Sequence, residues 1–504
     1  MITQNIDKFY KNTFDVCIIG SGIGGGTLAK KLSELGTSFL VIEAGTFHGN
    51  SSNVTYENVG RDFGVRTTTT IQVGGTSNLW HGVLAPLDEI DFQQRDWIPY
   101  SGWPISLDDL YPYYSEAASL LGVENFSYFT QKNLSNELKQ QLENMPFNRN
   151  FLKNKLFQQP IVAHNFKNTI KDICSSSDKY HCLFNTTALE LVRNGEYVEK
   201  VIVGLANGEK SEIKAKQFII ASGALETPRL LLNSKFTNSN IGRFLMDHPM
   251  GNLCQLEFRK RKKCPIYSDT KYSHKMKIKT GLEMKNELQE KFQLPNNNFY
   301  MRPSFIKGID DKSEKIKLSL LAFKDGKISI KDFLNVFMHP NVIRQILAYK
   351  LSLNVTYKYS DLFFITEQIP NPESNVTLSN LKDKWGYPIS RVNWQVSQQD
   401  IDAMEMWFKL VLTEFFSEED YIFTHALDDF NWKEIFTSAI HHVGTARMGN
   451  NEDEAVVNKD LKVFGVNNLY ICDGSIFTTA GNVNNGLSIS AFACRLVKHL
   501  GEKE

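Results

Sequence analysis

Cysteine is scarce and scattered in this chain: seven among 504 residues, with no Cys-x-x-Cys pair. Neither a zinc site nor a disulfide framework follows from such spacing, and an odd count points to a reducing compartment. Cys17 and Cys494 stand inside apolar stretches and read as small core residues. An excess of one charge is missing too, since Lys+Arg and Asp+Glu each total 56. No global field therefore recruits nucleic acid or an anionic membrane. The one basic run, Arg259 to Lys263, reads as solvated surface ahead of a dock for an acidic partner. No apolar stretch is long enough to span a bilayer. The polar segment from Met1 to Lys11 lacks the apolar core of a signal peptide. Asn-x-Ser/Thr matches such as Asn375-Val376-Thr377 accordingly read as incidental. No internal repeat or low-complexity tract stands out. The expectation is a cytoplasmic protein with no transmembrane segment, no metal and no nucleic-acid partner.

What remains is material for a large core: 42% of residues are hydrophobic and 22% charged. The length suggests roughly two to three domain-sized units. The first forty-five residues are the most legible. Val16-Cys17-Ile18-Ile19 is a short apolar run of the kind buried on both faces of a parallel sheet. It leads into Gly20-Ser21-Gly22-Ile23-Gly24-Gly25-Gly26 and then a helical pattern, Thr27 to Leu35. A second apolar run, Phe39 to Ile42, ends at Glu43. Strand, glycine turn, helix, strand and acidic residue follow in the order of the dinucleotide fingerprint. Gly20 permits the sharp turn, Gly22 lets backbone approach a pyrophosphate, and Gly25 lets helix and strand pack closely. The helix start offers free N–H groups to the phosphates. Glu43 can accept from a ribose diol and would repel a 2′-phosphate, which disfavours NADP. The fingerprint alone does not separate FAD from NAD.

Further along, Gln72 to Gly82 is rich in glycine and small polar residues, and an aromatic stretch with Trp97, Trp103, Tyr111, Tyr113 and Tyr114 follows it. Such a loop can lie with its backbone against a flat ligand, or be plain surface. Phe218 to Ala221, Ser222-Gly223-Ala224 and Thr227 to Leu232 read as strand, turn and helix with Pro228 near the helix start. This is either a second approach of backbone to the nucleotide or an ordinary connection. Between Gly251 and Lys433, alternating patterns such as Val376-Thr377-Leu378 and Arg391-Val392-Asn393-Trp394 predict antiparallel strands with one wet face. The apolar stretch Phe333 to Leu353, interrupted by Pro340, reads as substrate-domain core ahead of a membrane-facing flap. After His441-His442 and Asp473-Gly474, an apolar helix is expected from Ile489 to Leu500.

Taken in order, these segments resemble the glucose–methanol–choline oxidoreductase family over nearly the whole chain. The matching landmarks are the N-terminal fingerprint, the Gly74-Gly75 loop, Gly223 to Pro228, Arg243-Phe244-Leu245-Met246-Asp247-His248-Pro249, Glu367-Gln368-Ile369-Pro370-Asn371-Pro372, His441 to Thr445 and Asp473-Gly474-Ser475. With Gly102-Trp103-Pro104, the Gly74 loop looks most like the branch of pyranose oxidase and bacterial sugar or polyol dehydrogenases. The resemblance implies an α/β fold: a Rossmann-like FAD domain with an inserted antiparallel-sheet substrate domain. Its expected bounds are 12–95, 180–250 and 440–504 for the FAD domain, 96–179 for a cap, and 251–439 for the substrate domain.

The resemblance also implies where FAD sits: against Gly20, Gly22, Gly25, Glu43, Gly74, Gly75, Thr76, Ser77, Asn78, Ala188, Asp473 and Gly474. Some relatives tether FAD to a histidine after the paired glycines. Leu79 occupies that position here, so non-covalent FAD is expected, with His81 lining the pocket. His441 is the implied base and Asn484 the residue that holds the substrate oxygen. His442 replaces a frequent proline and is the alternative base. The implied reaction is oxidation of an alcohol of a sugar, glycoside or polyol, with oxygen, a quinone, a cytochrome or another protein as electron acceptor. A flavin-bearing lyase, of the hydroxynitrile lyase or photodecarboxylase type, is the alternative. Some relatives are exported with a partner that carries the signal, which keeps a periplasmic location open.

Overall fold

The computed structural model describes residues 1–9, 12–48, 56–63, 70–263, 267, 270–305, 307, 343–344, 347, 355–423 and 436–502. Nearly all of the Phe333 to Leu353 stretch lies outside them.

The first apolar run forms the strand Thr13–Ile19, and the second forms Phe39–Ile42, whose four residues are all buried. Branched and aromatic side chains facing both ways suit a strand covered on both faces. These two strands lie side by side and parallel at the centre of an eight-stranded sheet. Its order is Ile2–Thr3, Tyr180–Leu183, Phe39–Ile42, Thr13–Ile19, Lys210–Ile220, Tyr197–Leu205, Thr186–Asn194, with Leu469–Ile471 also pairing parallel to Lys210–Ile220. The last three strands of the path are an antiparallel meander. The helix Ile23–Leu35 packs on the C-terminal helix Gly486–Gly501 and on Phe166–Ser176. Leu107–Leu120 also packs on Gly486–Gly501. Cys17 and Cys494 are buried here at 0% and 3% exposure, as small core residues.

A second eight-stranded sheet is antiparallel throughout, in the order Thr270–Lys271, Met276–Met284, Asn297–Ser304, Thr356–Thr366, Pro249–Lys263, Tyr421–Phe423. Thr437–Ser438 adds to Pro249–Lys263, and Leu152–Pro160 runs along Met276–Met284. The helix Gln398–Leu410 covers one face with Ile401, Met404, Trp407 and Phe408 against Leu253, Leu256, Phe299, Met301 and Leu362. Its start is fixed by a capping box between Ser397 and Asp400. Val376-Thr377-Leu378 and Arg391-Val392-Asn393 do pair antiparallel, but in a separate three-stranded sheet with Glu57–Asn58. The 96–179 stretch divides between the layers: Phe166–Ser176 packs on the first sheet and Leu107–Leu120 on the C-terminal helix, while the strand Leu152–Pro160 joins the second sheet and the helix Asn136–Glu143 adds Leu138 and Leu142 to that sheet's core. The architecture is an α/β nucleotide-binding layer carrying an inserted sheet. No helix among the described residues is long and apolar enough to cross a membrane.

Candidate active site

The turn after Thr13–Ile19 is as tight as its glycines suggest. Gly20 has φ +103°, and a Cβ on it would lie 2.4 Å from the Ala221 carbonyl oxygen. A Cβ on Gly25 would lie 2.0 Å from the Gly20 carbonyl oxygen, so this glycine lets the helix close on the turn. Gly22 differs, because a Cβ there meets nothing within 4 Å. It stands before the first turn of Ile23–Leu35, whose N–H groups have no carbonyl one turn back. That open space at a helix start fits a diphosphate.

Glu43 closes the same pocket. One carboxylate oxygen accepts from the Ser21 amide at 3.1 Å and its hydroxyl at 2.5 Å, and the other from the Gly45 amide at 2.8 Å. Burial raises its carboxyl pKa above the ordinary value, against the pull of those bonds. The Ser21 hydroxyl also accepts from the Gly74 amide at 2.9 Å. Gly74 and Gly75 have φ +90° and +53°, and a Cβ on Gly75 would lie 2.9 Å from the Gly22 Cα. The paired glycines are thus seated on the fingerprint. Ser77 and Asn78 bind their own loop: Ser77 to the Gly74 carbonyl, Asn78 to the carbonyls of Val73 and Gly75. Thr76 is exposed, as are Leu79 and His81. Ala188 is half-buried on Thr186–Asn194, close to Thr186, whose amide donates to the Glu43 carbonyl at 3.0 Å.

Asp473 links three segments. Its carboxylate accepts from the Gly223 amide at 2.8 Å, the Thr227 hydroxyl at 2.7 Å and the Ser475 amide at 2.8 Å. Burial raises its pKa, and these bonds oppose the rise. A Cβ on Gly474 would lie 2.7 Å from the His442 carbonyl oxygen, which brings the histidine segment against this turn.

His441 Nε2 lies 3.1 Å from Asn484 Nδ2. With the amide as donor, Nε2 accepts and the neutral ring carries its proton on Nδ1. Burial, then the neighbouring His248, lower the His441 pKa to about 3, with Asp247 pulling the other way. The ring is therefore neutral near pH 7. His442 points elsewhere: its ring packs edge-on to Phe63 at 4.8 Å, and its Nε2 is 3.6 Å from an Asp247 oxygen. That separation is too long for a hydrogen bond. Burial lowers the His442 pKa as well.

Sequence reasoning gave no role to Ser21, although it lies inside the fingerprint and ties Glu43 to the Gly74 loop. It also missed Asn485, whose amide donates to the His441 carbonyl at 3.3 Å. Asn482 escaped it too, buried against Asn296 and Glu283 at 2.8 and 3.1 Å. The density of asparagine from 482 to 485 was the available signal. No group of three or more His, Cys, Asp or Glu that could hold a metal occurs among the described residues.

Profiles described as GMC oxidoreductase match residues 182–250 and 370–493. The chain is 23% identical to 2-methyl-1,2-propanediol dehydrogenase of Mycolicibacterium austroafricanum, covering 97% of this chain and 95% of that protein. It is 23% identical to the fructose dehydrogenase large subunit of Gluconobacter japonicus, covering 95% and 96%. A fungal aryl-alcohol oxidase structure superposes with TM-score 0.58 at 16% identity, over 98% of this chain and 99% of that one, which shows a shared fold. Both profiles are of the glucose–methanol–choline (GMC) oxidoreductases, a family that binds FAD, and it is this family that the chain resembles along its length.

Proposed function

We propose that this protein oxidises the CH–OH group of a sugar, glycoside, polyol or related alcohol, with non-covalently held FAD and His441 as base. The observation that carries the reading is the convergence of His441 Nε2 and Asn484 Nδ2 at 3.1 Å, beside the Asp473-Gly474 turn. A substrate hydroxyl between the two can give its proton to Nε2 while its oxygen accepts from the Asn484 amide. An alcohol is a very weak acid, so its proton must be taken as negative charge develops on oxygen. A neutral imidazole can take it, and an amide can stabilise that charge without competing for the proton. His441 serves better than His442, because the latter's ring is turned toward Asp247 and Phe63.

FAD, when bound, supplies the acceptor for the hydride that leaves the carbinol carbon. Gly20, Gly22, Gly25 and the helix start would hold its diphosphate, Glu43 its ribose, and the Gly74 to Asn78 loop and Ala188 its remaining length. Asp473 and Gly474 would flank the ribityl side. Ser77 and Asn78 would act by shaping the loop, since their side chains already serve it. Leu79 carries no nucleophile for a covalent tether. The chain is read as an FAD layer from 12–95, 180–250 and 440–504, a cap at 96–179 and a substrate layer at 251–439. The six described cysteines, free and buried, accord with a reducing cytoplasmic location.

The dehydrogenase and oxidase names of the relatives favour oxidation over a lyase reaction. The test is anaerobic. Flavin absorbance is followed while 2-methyl-1,2-propanediol, fructose, other sugars, glycosides, polyols and an aryl alcohol are added in turn. Bleaching by one class is expected, and readmitted air then shows whether oxygen accepts the electrons. A protein that takes up no flavin on reconstitution contradicts the reading.

A further inference from the structure

The strand segment 246–250 and the segment 437–443 run antiparallel, but unevenly. Pro249 pairs with Ser438 and Met246 with Val443. Between those pairs, Asp247 and His248 face four residues, Ala439 to His442. The longer side must therefore bulge out, and the bulge carries both site histidines. A bulge loses ladder bonds and re-aims the side chains it carries. Here Ile440 also has φ +62°, a strained backbone for a β-branched residue that persists only where its surroundings hold it.

The holding group is one carboxylate. Asp247 is fully buried. One of its oxygens accepts from the His441 amide at 3.0 Å and the His248 amide at 2.6 Å. The other accepts from the Ile440 amide at 3.1 Å and from the Ser438 hydroxyl. These four bonds replace the ladder that the bulge interrupts. The titratable groups around it are His441 and His442 on the bulge, His248 on its own segment, and Glu367, which is paired with Arg95. Burial pushes the Asp247 carboxyl pKa up, but the histidines and the donated bonds outweigh it, leaving it below its usual value.

We propose that Asp247 is a positioning residue: its carboxylate moulds the 439–442 bulge so that the His441 ring meets Asn484, and keeps a negative charge beside the ring that takes the substrate proton. It exchanges no proton itself. The hydroxyl proton goes to His441 Nε2, and Asp247 remains ionised throughout. This rests on the reading of His441 as base, and the test separates the two.

The FAD-loaded enzyme is labelled with ¹⁵N-histidine and compared with Asp247→Asn, which keeps the size but turns an amide donor toward amide donors. His441→Asn identifies the His441 signals by their loss. In the native enzyme, the ring nitrogens of His441 are expected to show a single tautomer, protonated on Nδ1. In Asp247→Asn, that signature averages while flavin content is retained. The limiting rate of flavin reduction, with whichever alcohol bleaches the native enzyme, falls at least about tenfold at unchanged substrate affinity. Where no alcohol bleaches it, the ring signature alone decides. Should Asp247→Asn fail to fold, Ser438→Ala removes one bond to the same carboxylate and is read in the same two ways. An altered signature with an undiminished rate leaves Asp247 in its role and removes His441 as base. An unaltered signature overturns the proposal.

Discussion

A single methyl group separates two kinds of glycine in the fingerprint. At Gly25 an added Cβ lands 2.0 Å from the Gly20 carbonyl oxygen, whereas at Gly22 it meets nothing within 4 Å. Gly25→Ala should therefore destabilise the fold by about 1–3 kcal/mol, as overpacking does. Gly22→Ala should melt close to the native temperature but retain less FAD, if its methyl enters the space proposed for the diphosphate. Melting curves and flavin-to-protein ratios on both variants check this. Equal melting losses would show that Gly22 serves packing instead. Both glycines were legible in the sequence, because spacing places them. Ser21 was not, since serine is only a variable position of the pattern. Its bonds reach Glu43 at the end of the neighbouring strand and Gly74 on a loop that comes back to the turn from further along the chain.

At the scale of elements, strands and helices followed from periodicity wherever one face is apolar. The two parallel strands and the C-terminal helix lie where expected. The strand Leu152–Pro160 was harder to see: it carries Lys153, Asn154, Lys155, Gln158 and Gln159, so no clean alternation marks it. Its place beside Met276–Met284 is a long-range pairing that local pattern does not encode. The central antiparallel strands also hold a polar cross-strand group. Asp361 on Thr356–Thr366 accepts from Gln255 Nε2 at 2.6 Å on the neighbouring strand. Burial raises its pKa from 3.8 to about 6, and Gln255 and Arg302 offset this only in part. A carboxyl raised on folding binds more protons in the native state, so its stabilisation is full below about pH 3.8 and lost as pH rises to about 6. Asp361→Asn should thus gain stability relative to the native protein between pH 4 and pH 6. Urea denaturation at both pH values measures it, and a constant difference would mean that Asp361 titrates normally.

On the scale of the whole molecule, the site depends on how two sheets meet. Arg95 and Glu367 form a bidentate pair at 2.8 and 2.6 Å, with side chains 1% and 0% exposed. Glu367 follows the central strand Thr356–Thr366, and Arg95 follows the Asp88-to-Phe92 segment that packs under the C-terminal turn through Leu87 and Gly481. Arg95→Met leaves a buried carboxylate without its partner and should cost about 3–5 kcal/mol. Chemical denaturation reads that loss directly, and a loss under about 1 kcal/mol would mean that the pair contributes little to joining the sheets. The family landmarks announced both layers and the residues at their junction, Glu367, His441 and Asn484. They did not announce the Asp247 bulge, because the uneven pairing of 246–250 with 437–443 exists only once both segments are folded.

Single-turnover kinetics shows whether His441 takes the proton of an alcohol during flavin reduction. Native enzyme and His441→Ala are loaded to equal flavin content and mixed anaerobically with the alcohol class that bleaches the native protein. The limiting rate of flavin bleaching should fall by about 10²–10⁴ in the variant, the usual contribution of a general base. A variant that bleaches at the native rate would remove His441 as the base and point to His442.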